Sequence, residues 1–187
     1  IQFGCARRQL LCHNKDVKDM RKIVLMGRSG AGKTTLTQAL RGEKLTYHKT
    51  QYVNFQGALI DTPGEYVETK RLGYALALYA YEADVVGLLL SATEPFSLYP
   101  PNVTCMVNRE VVGIVTKTDD PSGDPQRAAA WLKLAGCGKI FFVSSVSGEG
   151  IADIFEYLRE PNDVLPWDKT KQKQQKQHNQ SKLSKNI

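Results

Sequence analysis

A chain of 187 residues with 42% hydrophobic content has room for one domain with a proper core and some excess. Residues 1–22 hold six Lys/Arg against two Asp and residues 168–187 six Lys against one Asp, so 23–167 carry 13 basic and 16 acidic side chains and the net charge of +6 lies in the ends. A mildly acidic folded part argues against a nucleic-acid-binding domain, which would carry its basic face there.

No stretch approaches the ~18 consecutive apolar residues of a membrane span. Cys5, Cys12, Cys105 and Cys137 form no C-x-x-C pair and have no His at metal-ligand spacing. They read as reduced thiols of a cytosolic protein.

Residues 1–19 show no sustained apolar period and no secretory h-region, and are expected to be a disordered or non-native extension. "KIVLMG" (22–27) then reads as a first strand entering a glycine-rich loop. "KTTLTQALRG" (33–42) has helical spacing and ends on a Gly. "QYVNF" and "GALID" read as two short strands, with a turn placed at Asn54 to Gly57. Residues 65–83 carry a helical face with Leu72, Ala75, Leu76 and Tyr79.

"DVVGLLLSA" (84–92) and "EVVGIVTK" (110–117) are apolar on both faces, as strands inside a covered parallel sheet must be. "DPQRAAAWLKLAG" (124–136) is a helix with an Asp-Pro start and a Gly stop. "KIFFVSS" (139–145) is a last strand and "GIADIFEYLRE" (150–160) a last helix. The expected domain runs over 20–165, and the Lys/Gln/Asn-rich residues 166–187 are expected to be a disordered tail. Alternating strands and helices at this spacing predict an α/β fold with a largely parallel sheet. In such sheets ligands bind beyond the carboxyl ends of the strands.

"GRSGAGKT", Gly27 to Thr34, matches G-x-x-x-x-G-K-[ST] between a strand and a helix, the context that a phosphate loop requires. Its candidate nucleotide-binding residues are Gly27, Arg28, Ser29, Gly30, Ala31, Gly32, Lys33, Thr34 and Thr35. Glycines let the backbone wrap around phosphate oxygens, and the following helix adds its positive end. Lys33 would reach the β- and γ-phosphates, and Thr34 would give its hydroxyl to Mg²⁺. Arg28 can assist electrostatically, although a solvent-facing role is the plainer reading.

"LIDTPGEY" ends a strand on Asp61, placed to hold Mg²⁺ through water, 27 residues after Thr34. Gly64 leaves its backbone N–H open to the γ-phosphate. Between the two motifs, Thr50 is the first candidate for closing on Mg²⁺, with Thr46 second; His48 reads as an exposed loop residue.

"TKTD", Thr116 to Asp119, sits at a strand end. A carboxylate fixed there accepts two hydrogen bonds from guanine N1–H and N2–H₂, a donor pair that adenine lacks. Asp119 is therefore the base-selecting candidate, with the stem of Lys117 lying over the purine. Ser144 and Ser145, in "VSSVSGEGI", would offer backbone N–H groups to guanine O6.

These four elements in this order resemble the TRAFAC-type small GTPases. "RKIVLMGRSGAGKTTLTQALRGEKLTYHKTQYV", "IDTPGEY" and "GIVTKTD" are similar to the EutP/PduV family over roughly 20–160. That resemblance implies a three-layer, Ras-like P-loop NTPase fold with helices on both faces of a mostly parallel sheet. It also implies Mg²⁺ and GTP or GDP as ligands and a place in ethanolamine or propanediol utilisation. The expected setting is the bacterial cytoplasm, at or in a microcompartment, with the termini as docking elements for shell or enzyme proteins.

The sequence departs from the pattern twice. Thr116 stands first in the base motif where Asn is common; it can bond toward the phosphate loop but loses the amide contact to guanine N7. Glu65 follows D-x-x-G where many small GTPases place a Gln. A carboxylate orients water but adds negative charge beside the γ-phosphate, which predicts slow intrinsic hydrolysis. The catalytic candidates are Lys33, Gly64 and Glu65. The rival expectation, also kept open by the resemblance, is an ATP-dependent acetate-type kinase on the same loop, in which Glu65 serves as an acid/base group.

Overall fold

The computed structural model describes residues 20–41 and 78–160, together with the backbone of 54–56 and 59–61. The expectations for residues 1–19 and 166–187, and for Thr46, His48, Thr50, Gly64 and Glu65, fall outside the described residues.

The described elements are β1 (Ile23–Gly27), α1 (Lys33–Arg41), β2 (Asn54–Gln56), β3 (Leu59–Asp61), β4 (Val85–Ser91), a 3₁₀ turn (Val103–Met106), β5 (Glu110–Thr116), α2 (Pro125–Leu134), β6 (Lys139–Phe142) and α3 (Ile151–Leu158). Residues 78–80 are also helical and lead into β4. The six strands form one sheet in the order β2-β3-β1-β4-β5-β6. Every pairing is parallel except β2 with β3.

The turn expected at 54–57 is displaced. Asn54, Phe55 and Gln56 pair with Asp61, Ile60 and Leu59 in an antiparallel ladder, so the connection falls on residues 57–58.

Strand alternation assigns the core to two sides of the sheet. Val24, Met26, Val86, Leu88, Leu90 and Val115 pack with Ala128, Ala129 and Leu132 of α2. Ile23, Leu25, Val85, Leu89, Val112 and Ile114 pack with Leu36 and Leu40 of α1 and with Ile151, Ile154, Phe155 and Leu158 of α3. The central strands are apolar throughout because both of their faces are covered, which makes three layers. α2 starts as its sequence predicts: Asp124 Oδ1 accepts from the Arg127 N–H at 2.9 Å, with Pro125 at the first helical position.

Burial also governs the cysteines. Cys105 is exposed and Cys137 is buried. Burial pushes the Cys137 thiol up to about 12 from its ordinary 9.0. Unfolding lets that thiol ionise more readily, so its contribution to stability is intact below about pH 9 and falls as the pH rises toward 12. A Cys137→Ala variant should therefore lose less stability than the parent between neutral pH and pH 10. Denaturant midpoints at the two pH values check this, and parallel losses would exclude the thiol as a contributor.

Candidate nucleotide site

β1 ends at Gly27 and α1 begins at Lys33, so the glycine-rich stretch spans a strand end and a helix start. Gly30 and Gly32 adopt φ of 79° and 87°, a region that L side chains avoid, and these two residues turn the chain between the elements. Lys33 is 6% exposed, and its Nζ donates to the carbonyls of Gly27 (2.8 Å) and Arg28 (2.9 Å). Two fixed acceptors direct a long, otherwise mobile side chain back over its own loop. Ala31 is buried, while Ser29, Thr34 and Thr35 are partly exposed on the same stretch.

The base motif is tied directly to this loop. Thr116, at the end of β5, is 2% exposed and its Oγ1 donates to the Ala31 carbonyl at 2.7 Å. The hydroxyl thus makes the loop contact expected of a residue lacking an amide. Immediately after it, Lys117 has φ 55°, an unusual value for a non-glycine residue and one concentrated at functional loops. The loop is braced by Asp120 N–H to the Lys117 carbonyl (3.1 Å) and Thr118 N–H to the Val143 carbonyl (3.4 Å).

The two adjacent aspartates sit in different surroundings. Asp120 Oδ1 accepts from both the N–H (2.9 Å) and the hydroxyl (2.6 Å) of Ser122, which holds its carboxyl below the ordinary range. Asp120 is a turn former. Asp119 is exposed, and among the described residues its carboxylate makes no such bond.

Ser144 and Ser145 follow β6, as expected, but they are not equivalent. The Ser144 N–H donates to the Glu149 carbonyl (3.1 Å), and its Oγ accepts from the Ser147 N–H (3.0 Å). Ser144 is buried and builds the loop, whereas Ser145 is partly exposed beside it.

For the metal, Leu25 of β1 pairs in register with Asp61 of β3, so Asp61 ends the strand next to the one that feeds the phosphate loop. A hydroxyl at the start of α1 and a carboxylate at the end of β3 are hard oxygen donors of the kind that Mg²⁺ takes. Among the described residues no cluster of three His, Cys, Asp or Glu could hold a metal by itself.

Two tertiary features had no sequence signal. The connection after β4 runs along the phosphate loop: Glu94 Oε2 accepts from Arg28 Nη1 at 2.9 Å, and the guanidinium lies 5.7 Å from the centre of the Phe96 ring. Arg28 is thus paired instead of simply facing solvent. Tyr99 is 7% exposed, and its hydroxyl proton is shared between the carbonyls of Met26 (3.0 Å) and Leu89 (2.8 Å). Burial, with the Cys137 thiol adding to it, pushes this phenol far above its ordinary range and keeps it a neutral donor. The crevice between these side chains and Leu98 leaves about 10 Å³, room for no more than a water.

Residues 20–160 match a family model described as ethanolamine utilisation - propanediol utilisation. The chain is 45% identical over 142 residues to the propanediol utilization protein PduV of Citrobacter freundii, covering 74% of this chain and 93% of that protein. It is 32% identical over 142 residues to the probable acetate kinase EutP of Escherichia coli, covering 74% and 89%. GTPase Era of Sinorhizobium medicae is 26% identical over 167 residues, covering 78% of this chain and 54% of that protein. With the strand–loop–helix geometry above, these likenesses make the fold that of a P-loop NTPase. The chain belongs to the PduV-EutP family of ethanolamine and propanediol utilisation proteins.

Proposed function

We propose that this chain is a guanine-nucleotide-binding protein of the small GTPase type, Mg²⁺-dependent and slow in intrinsic hydrolysis. It acts in propanediol or ethanolamine utilisation, in the bacterial cytoplasm at or in a microcompartment, and its termini are the docking elements. The observation that carries the nucleotide reading is the Thr116 bond to Ala31, which locks the loop holding Asp119 onto the phosphate loop at 2.7 Å. A nucleotide whose phosphates occupy that loop would present its base on the side of a carboxylate that makes no bond among the described residues.

Lys33 and the turn from Gly27 to Thr34 hold the phosphates, Lys117 covers the base, and Ser145 offers its N–H to O6. Thr34, Asp61 and Thr50 are the protein's Mg²⁺ ligands, direct or through water. The ion, when bound, offsets phosphate charge. Gly64 approaches the γ-phosphate, and Glu65 beside it adds negative charge, which keeps hydrolysis slow.

The competing reading, an acetate-type kinase using ATP, draws on the name of the Escherichia coli relative. It would need a carboxylate site beside the phosphates. The Arg28 guanidinium already pairs with Glu94, and the crevice beside it admits no more than a water, which argues against that location.

Competition of GTP, GDP and ATP against one labelled nucleotide tests the proposal. Asp119→Ala removes two hydrogen bonds to a charged acceptor and should weaken GTP at least ~100-fold while leaving ATP unchanged. A preference for ATP that ignores the substitution would sink the guanine reading. Acetyl phosphate formed from ATP and acetate would establish the rival.

A further inference from the structure

We propose that Glu94 and Tyr99 are positioning residues for Lys33, acting through the backbone of residues 26–28; this rests on the nucleotide-binding reading above. The carbonyls of Gly27 and Arg28 receive the Lys33 ammonium. The carbonyl just before them, that of Met26, is held by the Tyr99 hydroxyl, and the side chain of Arg28 is held by Glu94. The two carbonyls that aim the ammonium are therefore bracketed by outside contacts, one at the Met26 carbonyl before them and one at the Arg28 side chain, and both contacts come from the single connection after β4.

That connection is itself fixed on both sides. Ala92 N–H donates to the Thr116 carbonyl (2.9 Å), and the Ala92 carbonyl accepts from Asp124 N–H (2.8 Å). Arg127 Nη2 donates to the Glu94 carbonyl (3.2 Å) from the start of α2. Tyr99 sits in the core with Met26, Leu88 and Leu90. Glu94 is the better buried partner of its pair, 14% exposed against 39% for Arg28, so its carboxylate depends on the contact. Through Ala92 the same connection reaches Thr116, and so links the phosphate end of the site to the base end.

Lys33 contacts the β- and γ-phosphates in the proposed site, so loosening its carbonyl seat should weaken a triphosphate more than a diphosphate. A purely structural brace would lower stability and weaken both nucleotides alike. The full chain is compared with Glu94→Gln, Tyr99→Phe and, as a remote control, Glu156→Gln. Affinities for GTP, GDP, ATP and ADP are measured together with the thermal midpoint.

Each of the first two variants is expected to weaken the triphosphates about tenfold, the effect of losing one charge-assisted bond from the Lys33 ammonium to phosphate, and to lower the triphosphate-to-diphosphate affinity ratio. The control should keep the wild-type ratio. Equal losses for both phosphate lengths, or an unchanged ratio, overturn the positioning role; should Tyr99→Phe fail to fold, Glu94→Gln decides. A wild type that binds neither purine series overturns the nucleotide reading itself.

Discussion

Lys33→Met is expected to weaken GTP binding by ~100-fold or more while leaving the fold intact. Lys33 is 6% exposed and the direction of its ammonium is set by two backbone carbonyls, so in the proposed site it would meet phosphate oxygens already desolvated and oriented. Charge-assisted hydrogen bonds to phosphate contribute ~1.5–3 kcal/mol each, and two of them account for the loss. The methionine keeps the length of the stem and fills its place in the loop. Stability should change by ~1–2 kcal/mol at most, because removing a buried charge offsets the two carbonyls left unbonded. Displacement of a labelled nucleotide gives the affinity and denaturant unfolding gives the stability. Wild-type affinity in this variant would remove Lys33 from the site.

The second large effect concerns Gly150, which caps α3 with φ 73°. A Cβ at this position would overlap the Phe142 carbonyl oxygen and approach Val143 Cγ1 at 3.0 Å. Neither a backbone carbonyl of β6 nor a buried valine can move aside cheaply. Gly150→Ala should therefore destabilise the protein by ~3 kcal/mol, combining backbone strain with overpacking. The damage should also reach the nucleotide site. Ser144 bonds back to Glu149 across this turn, so a displaced Gly150 shifts the loop that presents Ser145. An unfolding free energy within ~1 kcal/mol of the parent would mean that the turn relaxes without strain.

The motifs that carry this site are short stretches of contiguous residues, and for that reason they are legible without a structure. G-x-x-x-x-G-K-[ST] encodes a backbone path, and the apolar strand before it and the helix after it are set by local periodicity. The covered parallel sheet follows from strands such as Val85–Ser91 that are apolar on both faces. Read from sequence, the turn between β2 and β3 extends too far toward the N-terminus, because Asn54 is a turn former by composition but a strand residue by its pairing with Asp61.

Local sequence determined the candidate phosphate loop, the Asp-Pro start of α2, the order of strands and helices, and Asp119 as the candidate base-selecting carboxylate. Only the tertiary structure showed that the neighbouring Asp120 is tied into a turn, since its bonds to Ser122 exist only once the loop is folded. It likewise put Thr116 on Ala31, 85 residues away, and Glu94 on Arg28, 66 residues away. No periodicity encodes such contacts, because they depend on which strand ends the sheet brings together.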